Sequence, residues 1–267
     1  MDTYFILHLL LLGGLTGFTS GLLGIGGGTL LVPLLNILFS LHGMPENILM
    51  HSSVATSMVS IFFNSLIGSF IHNNNNNIQW KFIYFMIPGI ILGGIFSSTV
   101  IFSNINSSIL SLIFSIFASY SGYKMLLNNP SIINYKIMNK EIIFIGVLIG
   151  TISGLIGVGG GFISIPFMVS RGINLNQAIA TSSVLCLPTS LINTIGYIIS
   201  KSNCSYQLPW MIGYIHYGAL IVLVSIGLIA IPLGIRTSKA LKTIFLKRLF
   251  AIILFTISLY MIINNIL

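Results

Sequence analysis

Gly17-Phe-Thr-Ser-Gly-Leu-Leu-Gly-Ile-Gly-Gly-Gly-Thr-Leu-Leu-Val-Pro33 is answered later in the chain by Gly150-Thr-Ile-Ser-Gly-Leu-Ile-Gly-Val-Gly-Gly-Gly-Phe-Ile-Ser-Ile-Pro166. The glycines, one serine and the proline match at a constant offset of 133 (150 − 17). Each stretch lies inside a long apolar run, and each packs four glycines into five residues: Gly24, Gly26, Gly27 and Gly28, then Gly157, Gly159, Gly160 and Gly161. A glycine costs a helix about 1 kcal/mol relative to alanine, so four weaken it by roughly 3–4 kcal/mol and favour a break. Close packing by small residues explains alternate glycines more easily than three in a row. The pattern therefore predicts two long apolar segments, each broken in the middle.

Working outward, apolar segments fall at about residues 4–39, 51–71, 81–101, 108–127, 141–169, 177–200, 211–235 and 248–265. With 55% hydrophobic and only 5% charged residues, this is not a soluble composition, which carries roughly 25% charge. Runs near 18–20 apolar residues suit helices that cross the hydrocarbon layer. The expected fold class is an all-α polytopic membrane protein of about eight transmembrane segments, the first and fifth broken by glycine. The start, with Asp2 and no basic region, does not read as a cleaved leader.

The repeat extends past the glycines. Ala55-Thr56-Ser57 answers Ala180-Thr181-Ser182 at an offset of 125, as Ser65-Leu66-Ile67 answers Ser190-Leu191-Ile192, and Gly94 and Gly234 align at 140. The chain thus divides into an N-terminal repeat at 1–127, a connection at 128–140 and a C-terminal repeat at 141–267. If the broken segments return to their starting side, the two densest basic stretches, 128–140 and 236–248, share one side, as positive-inside orientation requires. The halves are then inverted relative to each other, a common transporter plan.

A formal charge of +8 raises the question of nucleic acid, but the eleven Lys and Arg residues sit in connections or near segment ends. That placement fits orientation and contact with anionic lipid, not a nucleic-acid surface. Only three acidic residues occur, Asp2, Glu46 and Glu141, none at a segment centre, so no buried carboxylate is available to strip water from a cation. His51, His72 and His216 lie nearer segment ends than middles and read as interfacial. Two cysteines, Cys186 and Cys204, form neither a metal site nor a disulfide framework, and no cofactor motif is present. Neither H-E-x-x-H nor G-x-S-x-G occurs, which argues against an enzyme.

What remains is chemistry suited to an anion. A helix start after a glycine break turns its free N–H groups and the positive end of its dipole toward one spot. Thr56, Ser57, Thr181 and Ser182 add neutral hydroxyls inside apolar segments. Interhelical hydrogen bonding is the plainer role for any one of them. The residue reading is a small-anion carrier, with an anion channel or a non-transporting membrane scaffold as the alternatives.

On the paired G-x-x-G-x-G-G-G-x-x-x-x-P elements at Gly21–Pro33 and Gly154–Pro166, and on both A-T-S elements, the sequence resembles the TauE/SafE family of membrane transporters, also called the sulfite exporter or TSUP family. The resemblance covers almost the whole chain. It implies transport of sulfite, sulfonates or related organic anions across the inner membrane. Cys186, Leu187 and Pro188 depart from simple repetition of the first half.

Overall fold

The computed structural model describes residues 3–23, 27–73, 77–126, 139–200, 210–238, 251–252, 255–256 and 258–263. The helices are α1 (Thr3–Leu23), α2 (Gly28–Leu41), α3 (Glu46–Asn73), α4 (Trp80–Ile95), a π-helical turn (Phe96–Ile101) continuing into α5 (Phe102–Asn104), α6 (Ser107–Leu126), α7 (Asn139–Ile156), α8 (Gly161–Ser170), α9 (Leu175–Ile199) and α10 (Tyr217–Ser238). A short antiparallel hairpin, β1 (Met211–Ile212) with β2 (Ile215–His216), precedes α10. Six helical stretches of 18 to 28 residues are long and apolar enough to cross a bilayer. This is a multi-pass, all-α membrane protein.

The helix breaks fall at the glycines. Gly27 (φ 73°) and Gly160 (φ 79°) each occupy the left-handed region immediately before α2 and α8, a conformation that costs a residue with a Cβ. At about 1.5 Å per residue, α2 spans about 21 Å and α8 about 15 Å, too short to cross alone. Both turn back. The Phe5 ring, near the start of α1, lies 4.4 Å from the His42 ring at the end of α2. Glu141, at the start of α7, pairs with Arg171, at the end of α8, at 3.1 Å.

Long helices pair by bringing backbones together at small residues. A Cβ on Gly13 would stand 2.9 Å from the Leu223 carbonyl oxygen, and one on Gly17 2.7 Å from the Gly227 Cα. In the other pair, Gly146 and Gly150 lie against the carbonyls of Met86 and Ile90. Thus α1 runs parallel to α10, and α7 parallel to α4. The ladder glycines differ by 133 (146 − 13) and the residues they face by 137 (223 − 86), beside the 140 that separates Gly94 from Gly234.

These directions fix the two ends of the bundle. Phe5 and His42 mark one end, where α3 begins; α3 then carries the chain to the other end, where α4 starts. Lys81, Lys140, Arg171 and Arg236 all lie at that second end, at the starts of α4 and α7 and the ends of α8 and α10. Between the ends, α3 and α9 run through the core, with Val54, Met58, Ile61, Leu185, Cys186 and Tyr197 no more than 1% exposed. Large apolar side chains such as Leu7, Leu11, Leu15, Ile221 and Ile229 point outward, the surface a bilayer would cover.

Candidate functional site

The two glycine turns meet in the interior. A Cβ on Gly28 would collide with the Gly157 carbonyl oxygen and stand 2.6 Å from Ile61 Cδ1, so only glycine admits this crossing. Gly157 itself has φ 76° and packs on Val32 and Val54. A Cβ on Gly159 would reach within 2.8 Å of Cys186 Sγ and 3.0 Å of Ile61 Cγ2. Side chains hold the second turn by its carbonyls: Ser57 Oγ donates to Gly157 O at 3.2 Å, the Cys186 thiol to Gly159 O at 2.6 Å, and Tyr197 OH to Gly154 O at 2.6 Å.

Each turn opens a helix. The Gly27 carbonyl accepts from the amides of Leu30 and Leu31, and the Gly160 carbonyl from those of Ile163 and Ser164. The amides of Gly28 and Thr29, and of Gly161 and Phe162, precede any intrahelical acceptor. Neither helix start is capped by a side chain. In the same first turns, Thr29 Oγ1 and Ser164 Oγ are buried with no hydrogen-bond partner. A buried hydroxyl left unpaired costs roughly 1–3 kcal/mol, and each of these two lies in the first turn of a helix whose positive end has no side-chain cap.

The residues expected from sequence separate into groups. Gly28, Gly157, Gly159 and Ser57 come together at the crossing, with Gly161 buried at the start of α8. Gly27 and Gly160 make the hairpin turns, facing Thr16 O on α1 and Ile149 on α7. Gly24 and Gly26 lie outside the described residues. Thr56 Oγ1 accepts the His216 amide at 3.0 Å, and Thr181 Oγ1 accepts the Gln79 amide at 2.9 Å while donating to Gln177 O. These threonines anchor the turns that lead into α10 and α4. Ser182 is buried on α9, one turn before Cys186. Thr29 and Ser164 escaped sequence reasoning because the repeat does not align them: Thr29 faces Phe162, and Ser164 faces Leu31.

Among the described residues, two spaces of unequal size lie toward the two ends of the bundle. Toward the end where α3 begins, a cavity of about 620 Å³ opens between Glu46, His51, Asn106, Ser107 and Tyr214. Toward the basic end, Ser20, Asn64, His72, Ser183 and Cys186 enclose about 10 Å³, room for roughly one water. His51, expected from its position near a segment end to be interfacial, is only 4% exposed, covered by its protein neighbours. His216 is also mostly covered, and burial pushes its pKa below the ordinary value. Its Nδ1 accepts the Ala219 amide, which requires the neutral ring.

A family model, Sulfite exporter TauE/SafE, matches residues 9–261. The chain belongs to the TauE/SafE family. Among similar proteins, a "Probable membrane transporter protein" of Haemophilus influenzae is 30% identical, over 96% of this chain and 98% of its own. A protein of the same description from Methanocaldococcus jannaschii is 28% identical over 95% and 94%. One from Bacillus subtilis is 27% identical over 72% and 77%. No solved structure matches. As a TauE/SafE chain with six apolar helices long enough to span a bilayer, it is a membrane transporter of the multi-pass type.

Proposed function

We propose that the protein carries small anions, of the sulfite or sulfonate class, across the bacterial inner membrane by alternating access. The observation that carries the reading is a pair of uncapped helix starts, each with an orphaned buried hydroxyl in its first turn, on glycine turns that cross where Gly28 packs on the Gly157 carbonyl. The anion would sit against the amides of residues 28–29 and 161–162, with Thr29, Ser164 and Ser57 beside it, so that dipoles and N–H groups rather than a lysine bear its charge. Discontinuous helices that present their N-terminal ends to an anionic group near the midplane are a recurring carrier design. The family description names sulfite.

The halves, 1–127 and 141–267, act in this reading as inverted copies of a duplicated unit, as the matching left-handed glycines and the opposite starting ends of α1 and α7 suggest. Placing Lys81, Lys140, Arg171 and Arg236 in the cytoplasm follows positive-inside orientation. The large cavity then faces outward and the occluded side inward, an outward-open state. Rocking α1 with α10 against α4 with α7 would exchange the two.

Uptake of radiolabelled sulfite, sulfoacetate, sulfate, taurine and acetate into proteoliposomes tests this. Saturable uptake of a sulfur oxyanion is expected. Uptake of none of them by folded protein would defeat the reading.

A further inference from the structure

We propose that the outer cavity ends in a proton-binding site, His51, and that the anion enters together with a proton carried on its imidazole. The inference rests on the carrier reading and adds the coupling ion to it.

His51 projects from α3 and is held on two sides. Its ring stacks on Tyr214 at 5.1 Å and meets Phe102 edge-on at 4.8 Å. Its Nε2 stands 3.1 Å from the Phe102 carbonyl oxygen. A carbonyl can only accept, so Nε2 carries the hydrogen, and neutral Nδ1 presents a lone pair. That Nδ1 is buried with no partner, although His51 lines the cavity of about 620 Å³. A basic nitrogen with its orientation fixed and its lone pair unused can take a proton where a negative charge offsets the cost of burial.

The surroundings specify what would stabilise that proton. Glu46, on the first turn of α3, shares the cavity, and Tyr214 comes from the hairpin. From α9, Tyr197 packs on the far side of Phe102. The residues of α5 and α6 in the cavity wall, Ser103, Ser107 and Ser108, do not titrate, and no Lys or Arg is among the cavity's described residues. His216, farther along the hairpin, has its Nδ1 occupied by the Ala219 amide. Among the described residues, an entering anion therefore meets no fixed positive charge except the one His51 can acquire.

A buried imidazolium alone is costly, and so is a desolvated anion alone; together they neutralise and form a charge-assisted hydrogen bond. Each thus raises the affinity for the other, reciprocally. The site also lies on the route inward. Val54, three residues on, packs against Gly157, and Ser57, six residues on, donates to the Gly157 carbonyl. At 1.5 Å per residue His51 stands roughly 5–9 Å along α3 from the crossing. The proton passes from outer water to Nδ1, the anion binds beside it, and both leave inward after the halves rock, with no bond made or broken other than N–H.

The full chain in proteoliposomes, with labelled sulfite as probe and protein-free vesicles subtracted, tests this through two readouts. One is exchange of labelled for unlabelled sulfite at equal pH and saturating concentration; the other is net accumulation under an acid-outside gradient of about one pH unit, worth about tenfold for one proton per anion. The wild type is expected to do both. His51→Gln is expected to purify as a monodisperse protein with wild-type thermal unfolding, which shows that it is folded, to exchange with a several-fold higher half-saturating sulfite concentration, and to accumulate nothing. Accumulation by His51→Gln at the wild-type level, or loss of exchange together with accumulation, overturns the assignment. Exchange without gradient-driven accumulation in the wild type overturns coupling alone, whereas absence of exchange in the wild type overturns the carrier reading of sulfite itself.

Discussion

Replacing Thr29 by Val and Ser164 by Ala separates a ligand site from a structural one. Both hydroxyls are buried, at 2% and 0% exposure, and neither has a partner. If they exist to serve the fold, their removal should destabilise it. If instead they serve an anion, they are a standing cost in the empty protein, about 1–3 kcal/mol each for an unpaired group, reduced by whatever relaxation the membrane interior permits. Thr29→Val keeps the volume and Ser164→Ala leaves a small gap, so each variant is expected to be as stable as the wild type or up to about 1 kcal/mol more stable. Transport should move the other way. A hydrogen bond to a charged partner contributes about 1.5–3 kcal/mol, so each change should raise the half-saturating anion concentration by about 10- to 150-fold. Thermal unfolding of the purified proteins and concentration-dependent uptake into proteoliposomes measure the two effects. Variants destabilised by about 1 kcal/mol or more, with uptake unchanged, would refute the reasoning and make both hydroxyls part of the scaffold.

Other substitutions probe the frame. Gly28→Ala would drive a Cβ into the Gly157 carbonyl, against backbone that cannot rotate away. It is expected to cost about 1–3 kcal/mol or more and to abolish uptake, read from yield of monodisperse protein and from transport. Thr56→Val and Thr181→Val remove the acceptors of the His216 and Gln79 amides; each should lower stability by roughly 1–3 kcal/mol while leaving half-saturation of the folded fraction within about twofold. Glu141→Gln breaks the ion pair with Arg171, but the Glu141 side chain is 45% exposed, so a loss of only about 0–1 kcal/mol is expected, with transport intact. His216 is held neutral by burial, so the unfolded chain takes up a proton that the folded chain refuses. Stability is expected to fall as pH drops below the ordinary histidine value of 6.5, and His216→Gln should flatten that fall in thermal unfolding across about pH 5–8.

The helix breaks could be read from sequence because their cause is local: four glycines in five residues cannot continue a helix cheaply. The return of α2 and α8 to their starting ends was legible indirectly, through the placement of charge, and the Phe5–His42 contact and the Glu141–Arg171 pair are its structural counterparts. Which helices pair was not legible. The partners α1 and α10 are more than 200 residues apart in places, and nothing local records that Gly17 stands against Gly227. The A-T-S repeats were visible, yet their threonines anchor the turns before α10 and α4, because a repeated motif marks a repeated structural need as readily as a ligand. Thr29 and Ser164 were invisible to a search for matched pairs, being neither aligned nor unusual in composition. The burial of His51 was equally illegible, because a place near a segment end says nothing of which neighbours cover a side chain. The connection assigned to 128–140 lies, up to residue 138, outside the described residues.

The most direct test of the central claim is trans-stimulation. Initial entry of labelled sulfite is measured at zero membrane potential into proteoliposomes that are either empty or preloaded with unlabelled sulfite. A carrier whose two halves rock around one site returns faster when loaded, so entry should saturate with concentration and run several-fold faster into preloaded vesicles. Entry that rises linearly with concentration and is indifferent to preloading would contradict alternating access and leave an open pore in its place.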